Sequence, residues 1–260
     1  TLKFNKSHQD NEDRQNYFFV KSQASFAAAI NCSWPFSEEE KQRVAIIMAT
    51  SYQNISEAAQ ILRKENRKIN VWMLFAVYKE TERILPKSEA NPYGENALRV
   101  KIDQLEHIFA PYKDVLDWKL VMVDNRCPDK TGQVASEMLL NDPSYCYFVR
   151  SGNFRIIRIP DDALMMLKGG SLLWGIRKLL PEFSENDLIG YTDCDTTTRL
   201  DQIGLLIYPL LLDKKAVAMG TRASFEAVAV PGASEEDKKI SKEAKPIKEY
   251  VLRGLLDEVK

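Results

Sequence analysis

Histidine is almost missing from this chain: two in 260 residues, His8 in a polar leader and His107 within an amphipathic stretch. A histidine-centred catalytic triad or zinc site is therefore not expected. Cysteine is scarce too; Cys32, Cys127, Cys146 and Cys194 have neither metal-ligand spacing nor the density of a disulfide framework. That usage suits a reducing, cytoplasmic compartment. Excess charge of one sign is lacking, since 36 Lys and Arg oppose 37 Asp and Glu for a net −1. No basic face of the kind nucleic acid requires is implied, and an anionic ligand must be held by a few local groups. Long apolar runs are absent: Ile203 to Leu212 has about ten residues where a membrane span needs about twenty. No secretory leader is legible. No G-x-G-x-x-G follows any predicted strand, which argues against a dinucleotide-binding dehydrogenase. The chain starts on Thr and ends within an apparent helix, so a piece of a longer or membrane-associated protein is expected.

What is present is an alternation of helical and extended segments. Ser37-Glu38-Glu39-Glu40 reads as a capping box opening a helix to about Tyr52, with a second helix from about Ile55 to Asn66. Ile69 to Tyr78 is a nearly continuous apolar run, the pattern of a strand buried on both faces. The turn formers Asn91-Pro92-Tyr93-Gly94 precede a helix from about Glu95 to Phe109, striped by Leu98, Ile102, Leu105 and Phe109. Trp118 to Val123 is the next strand and Thr131 to Leu140 the next helix. Cys146 to Ile159 reads as two short strands turning at Ser151-Gly152-Asn153. Lys168-Gly169-Gly170 reads as a loop before a helix from Ser171, because two glycines inside a helix cost about 2 kcal/mol relative to alanine. A strand from Asp187, a helical run and a second strand over Ala216–Arg222 follow. Pro231 to Pro246 is charged and turn-rich, a mobile surface loop, and Ile247 to Val259 is an amphipathic helix. This alternation predicts an α/β fold, a mainly parallel sheet flanked by helices, with an N-terminal helical extension.

The chemistry centres on Asp193-Cys194-Asp195. Carboxylates at i and i+2 of an extended chain share one side. Two such charges repel unless a cation intervenes, and a hard ion shared with phosphate oxygens would resolve the conflict. Glu80, Asp124, Asp193 and Asp195 all fall at predicted strand ends, where parallel sheets bind ligands. Plainer readings stand beside this one. Asp195, followed by three threonines, could cap a helix. Glu80 and Asp129 could be surface acids or caps, and Lys168 a solvated lysine.

In order along the chain, the motifs resemble those of nucleotide-diphospho-sugar glycosyltransferases of the GT-A fold, in particular the dolichol-phosphate mannose synthase-like family. Ala76-Val77-Tyr78-Lys79-Glu80 is similar to that family's P-x-Y-N-E. Val123-Asp124-Asn125-Arg126-Cys127-Pro128-Asp129-Lys130-Thr131 is similar to V-D-D-G-S-x-D-x-T. Leu167 to Gly175 resembles the G-K-G-x-A-L-x-x-G loop, Asp193-Cys194-Asp195 the D-x-D, and Gly220-Thr221-Arg222 the G-S-R. The resemblance implies a donor domain over residues 69–223, an extension over 1–68, and the start of an acceptor region over 224–260. It implies donor contacts from Ala76, Tyr78, Glu80, Asp124, Lys168, Gly169, Gly170, Asp193 and Arg222. It also implies Mn²⁺ or Mg²⁺ on Asp195 and Asp193, a UDP- or GDP-linked sugar as donor, and an unknown acceptor. The departures are Ala76 for proline, Lys79 for asparagine and Asn125-Arg126-Cys127 for D-G-S. No catalytic base is assigned, and stereochemistry stays open. The rival readings are a non-catalytic binding or scaffold domain and a sugar nucleotidyltransferase; the latter class carries its glycine-rich loop directly after the first strand.

Overall fold

The computed structural model describes residues 38–163, 167–196 and 198–220. Its core is a four-stranded, all-parallel sheet of order β3-β2-β1-β4, with β1 at Ile69–Val77, β2 at Leu116–Asp124, β3 at Phe154–Arg158 and β4 at Leu188–Tyr191. Helices connect and cover the strands: α1 (Glu38–Lys64), α2 (Thr81–Ile84), α3 (Ala97–Phe109), α4 (Thr131–Leu140), α5 (Cys146–Arg150), α6 (Lys168–Leu179) and α7 (Gly204–Leu211). This is the α/β architecture that the alternating pattern predicts.

Strand periodicity divides the core in two. Val71, Met73, Phe75 and Val77 of β1 face one way, with Ile55, Ala58, Ala59 and Leu62 of α1 and the apolar stripe of α3 in the same cluster. Trp72, Leu74, Val121 and Val123 face the other way, against Leu172 and Leu179 of α6. Gly175 allows that second contact, because a Cβ there would lie 2.6 Å from Cγ2 of Val123. At the far end of the sheet Asp187 clamps β4 to β1, accepting from the Asn70 amide at 2.7 Å and from Trp72 Nε1 at 2.9 Å.

Four expectations are corrected. The two N-terminal helices are one, α1, because the polar residues at the expected break find partners on the α7 segment. Ser51 Oγ donates to the Asp201 carbonyl at 2.7 Å, and Asn54 Nδ2 donates to the Gly204 carbonyl at 3.2 Å. Residues 146–150 form α5 rather than a strand: Phe148 stacks near Trp118, and buried Asn153 donates to the Trp118 carbonyl before β3 begins. Lys168-Gly169-Gly170 is the first turn of α6, not a loop before it, as the bond from Ser171 N to the Leu167 carbonyl shows. Glycine costs less there than in a helix interior, since first-turn amides have no intrahelical partner to lose. Residues 216–220 carry no strand, and Thr221 and Arg222 lie outside the described residues, as do Ser37 of the expected capping box and 224–260.

Candidate functional site

The order β3-β2-β1-β4 reverses direction between β1 and β4, since the chain steps outward from β1 to β2 and β3 before crossing back. At such a switch point the connections leave on opposite faces and open a crevice beyond the strand ends. The segments that leave β1 and β4 here are Tyr78-Lys79-Glu80 and Thr192–Thr196.

Lys168, the first residue of α6, forms an ion pair with Asp193, joining one wall of the crevice to the turn after β4. The first-turn amides of α6 and its helix dipole add positive potential beside that pair. Gly169 faces open space, since a Cβ there would meet nothing within 4 Å beyond its chain neighbours and its own helix backbone, so backbone can be approached closely there. On the other wall Arg83 of α2 pairs with Glu80 at 3.4 Å and Glu95 at 3.0 Å. Glu95 in turn accepts from the amide and hydroxyl of Thr196 at 2.8 and 2.9 Å. Beneath them Lys101 of α3, only 1% exposed, donates from Nζ to the Asp195 carbonyl at 2.7 Å.

The electrostatics follow from that crowding. Burial raises the Glu80 carboxyl above its ordinary value; Arg83 opposes this, and Asp195, Glu95 and Asp129 add to it. Burial lowers the Lys101 ammonium, against the pull of Cys194, Asp195 and Glu95. The Cys194 thiol is pushed up to about 12, chiefly by burial and then by Glu80, which makes it a packing group rather than a nucleophile. Asp129 is pushed up by burial, but hydrogen bonds from Thr131 and Thr81 outweigh that and leave it below the usual carboxylate range.

The expected site residues are thus distributed unevenly. Lys168, Gly169 and Gly170 in the first turn of α6 lie beside Asp193 through the Lys168 ion pair, and Asp195 lies near Glu80. Tyr78 is half-exposed just past β1 with Lys79 Nζ over its ring, while Ala76 is partly buried and packs on the α6 side. Asp124 ends β2 on the same rim but is 5% exposed: its Oδ1 accepts from Cys127 N at 2.8 Å, and a Cβ on Gly132 would fall 2.4 Å from Oδ2. Its carboxylate therefore closes the turn into α4. Asp129 ties Thr81 and Thr131 together, joining the loops after β1 and β2. Because β4 ends at Tyr191, the two aspartates sit in a turn and not on a strand. Asp193 is engaged with Lys168, whereas Asp195 lies within electrostatic reach of Glu80. Arg222 lies outside the described residues.

Besides Lys130, two left-handed residues lie in the loops after β1 and β2, Lys79 at φ 58° and Arg126 at φ 59°. Such backbone is natural for asparagine and glycine. These are the positions where the sequence motifs have asparagine and glycine in place of this chain's lysine and arginine. The motifs did not single out Lys101, Arg83 or Glu95. The one available signal was a lysine inside the stripe Ala97-Lys101-Leu105, at helical spacing.

Among the described residues, no group of three or more His, Cys, Asp or Glu side chains could enclose a metal ion. The donors present are two hard carboxylates, which suit Mg²⁺ or Mn²⁺ only if phosphate oxygens or water complete the shell. Fold and site together define an α/β protein with a cluster of charged side chains beside the switch point of its parallel sheet. Comparison with protein-family models, with curated proteins and with solved structures finds no match for this chain. Among the described residues no helix is long and apolar enough to cross a membrane.

Proposed function

We propose that the chain carries the donor-binding domain of a metal-dependent glycosyltransferase, which moves a sugar from a nucleoside diphosphate to an acceptor. One observation carries this reading: beside the β1–β4 switch point Lys168 of α6 pairs with Asp193, and Asp195 two residues on lies within electrostatic reach of Glu80 after β1. The left-handed backbone at Lys79 and Arg126 supports it further, since two substitutions within the motifs still keep the backbone that the motif residues favour.

The roles follow from charge. The first-turn amides of α6, with Gly169 leaving room, receive a phosphate. Lys168 exchanges its pairing with Asp193 for the diphosphate, which frees a carboxylate as the anion arrives. Asp195, with Asp193, holds the divalent ion. When bound, that ion neutralises the charge that builds on the departing nucleoside diphosphate. A lysine about 4 Å from that charge contributes roughly 4 kcal/mol at an effective dielectric near 20, before desolvation is subtracted. Tyr78 and Glu80 line the side on which the nucleoside lies.

The test is thermal shift with UDP and GDP, with and without Mn²⁺, followed by donor hydrolysis. Wild type is expected to be stabilised only with ion and nucleotide together, and Asp195→Ala to lose both the shift and at least tenfold of the hydrolysis. A non-catalytic binding domain is the second reading, favoured by the engagement of Asp124 in its own loop. It predicts a nucleotide shift with no hydrolysis. No shift with any combination would overturn both.

A further inference from the structure

Lys101 is the most buried cation among the described residues whose partner belongs to the crevice. It occupies the inward face of α3, flanked in the helix by Ala97, Leu98, Ile102 and Leu105, all buried. Sequestering an ammonium in such a stripe is strongly disfavoured unless its charge is used. A neutral donor would serve if the only need were to satisfy one carbonyl. The charge instead sits among acidic groups: Asp195, whose carbonyl it holds, and Glu95, which shares Arg83 with Glu80.

We propose that Lys101 is a positioning residue for ligand binding. By holding the Asp195 carbonyl from below, it fixes the turn Thr192–Thr196, and so sets where Asp193 and Asp195 present their carboxylates to an ion-bridged diphosphate. The inference rests on the sugar-nucleotide reading for its ligand, but the tether itself does not. Glu95 secures the next residue, Thr196, from α3's own N-terminal side, so the turn is pinned at consecutive positions. Thr192 N still donates to the Leu74 carbonyl at 2.9 Å, and beyond it these pins take the place of ladder bonds. A charge there also offsets the repulsion between Glu95 and Asp195 before a cation arrives.

Removing the ammonium leaves the Asp195 carbonyl without this donor and Asp195 and Glu95 without its charge, so stability falls in either case, and the role is read instead from the turn and from ligand affinity. Lys101→Met is expected to lower Tm, to exchange the amides of residues 192–196 at least tenfold faster, and to weaken UDP or GDP binding with Mn²⁺ at least tenfold. Lys101→Arg, which keeps charge and donor, is expected to recover part of that affinity. Unchanged exchange in 192–196 overturns the tether, and unchanged nucleotide affinity in a variant with faster exchange overturns the positioning role. If Lys101→Met does not fold, Lys101→Gln is measured by the same two readouts, and the same results overturn the tether or the positioning role. If wild type binds neither nucleotide, the sugar-nucleotide reading falls, and the exchange comparison alone then decides the tether.

Discussion

Glu80 is held in a neighbourhood that penalises its charge, and the sign of the consequence can be worked out. Its folded pKa is raised, so the folded state binds the proton more tightly than the unfolded chain does. The penalty is therefore present at neutral pH and fades as pH falls through the raised folded pKa. Glu80→Gln is expected to melt above wild type at pH 7, with the gap closing as the solution is acidified into the carboxylate range. Thermal melts across pH would check it; a gap constant with pH would show that packing, not charge, sets the difference. Lys79 offers a second test. A non-glycine residue in the left-handed region costs about 1 kcal/mol, less for asparagine. Lys79→Asn is expected to gain about 0.5–1 kcal/mol, measured from the urea midpoint. These residues also show where sequence reading stops. Asp193-Cys194-Asp195 is legible as a motif, but Lys101 is only a lysine in an apolar stripe until its partner, 94 positions along the chain, is known.

Among the elements, those set by local pattern are readable and those set by distant partners are not. β1 and α4 follow from an apolar run and from a periodic one with a clear start. α5 does not, because its helix is decided by Phe148 packing on Trp118 and by Asn153 bonding to a neighbouring strand. α1 is unbroken for the same kind of reason: Ser51 and Asn54, turn formers by propensity, are satisfied by residues 150 positions away. α6 carries the most specific prediction at this scale. Gly175→Ala places a methyl against Val123, a stiff side chain in a filled core, and is expected to destabilise by about 1–3 kcal/mol. Lifting α6 also displaces Lys168, so nucleotide stabilisation should fall with it. Urea titration and thermal shift on one preparation read both effects. A Gly175→Ala protein as stable as wild type would mean that α6 is not seated as close as the structure places it.

For the molecule as a whole, the sequence by itself determined the alternation of elements, a sheet buried on both faces, and the candidate carboxylates at strand ends. All of these depend on local patterns of polarity and turn chemistry. Only the tertiary structure decided the strand order, and with it the switch point that makes the ends of β1 and β4 neighbours. It also decided which acids face the crevice. Asp124 and Asp193 carry the same group, yet one closes a turn into α4 while the other meets a lysine across the rim. The physical reason is that a carboxylate's role depends on which donors surround it, and those donors come from segments far apart in the chain.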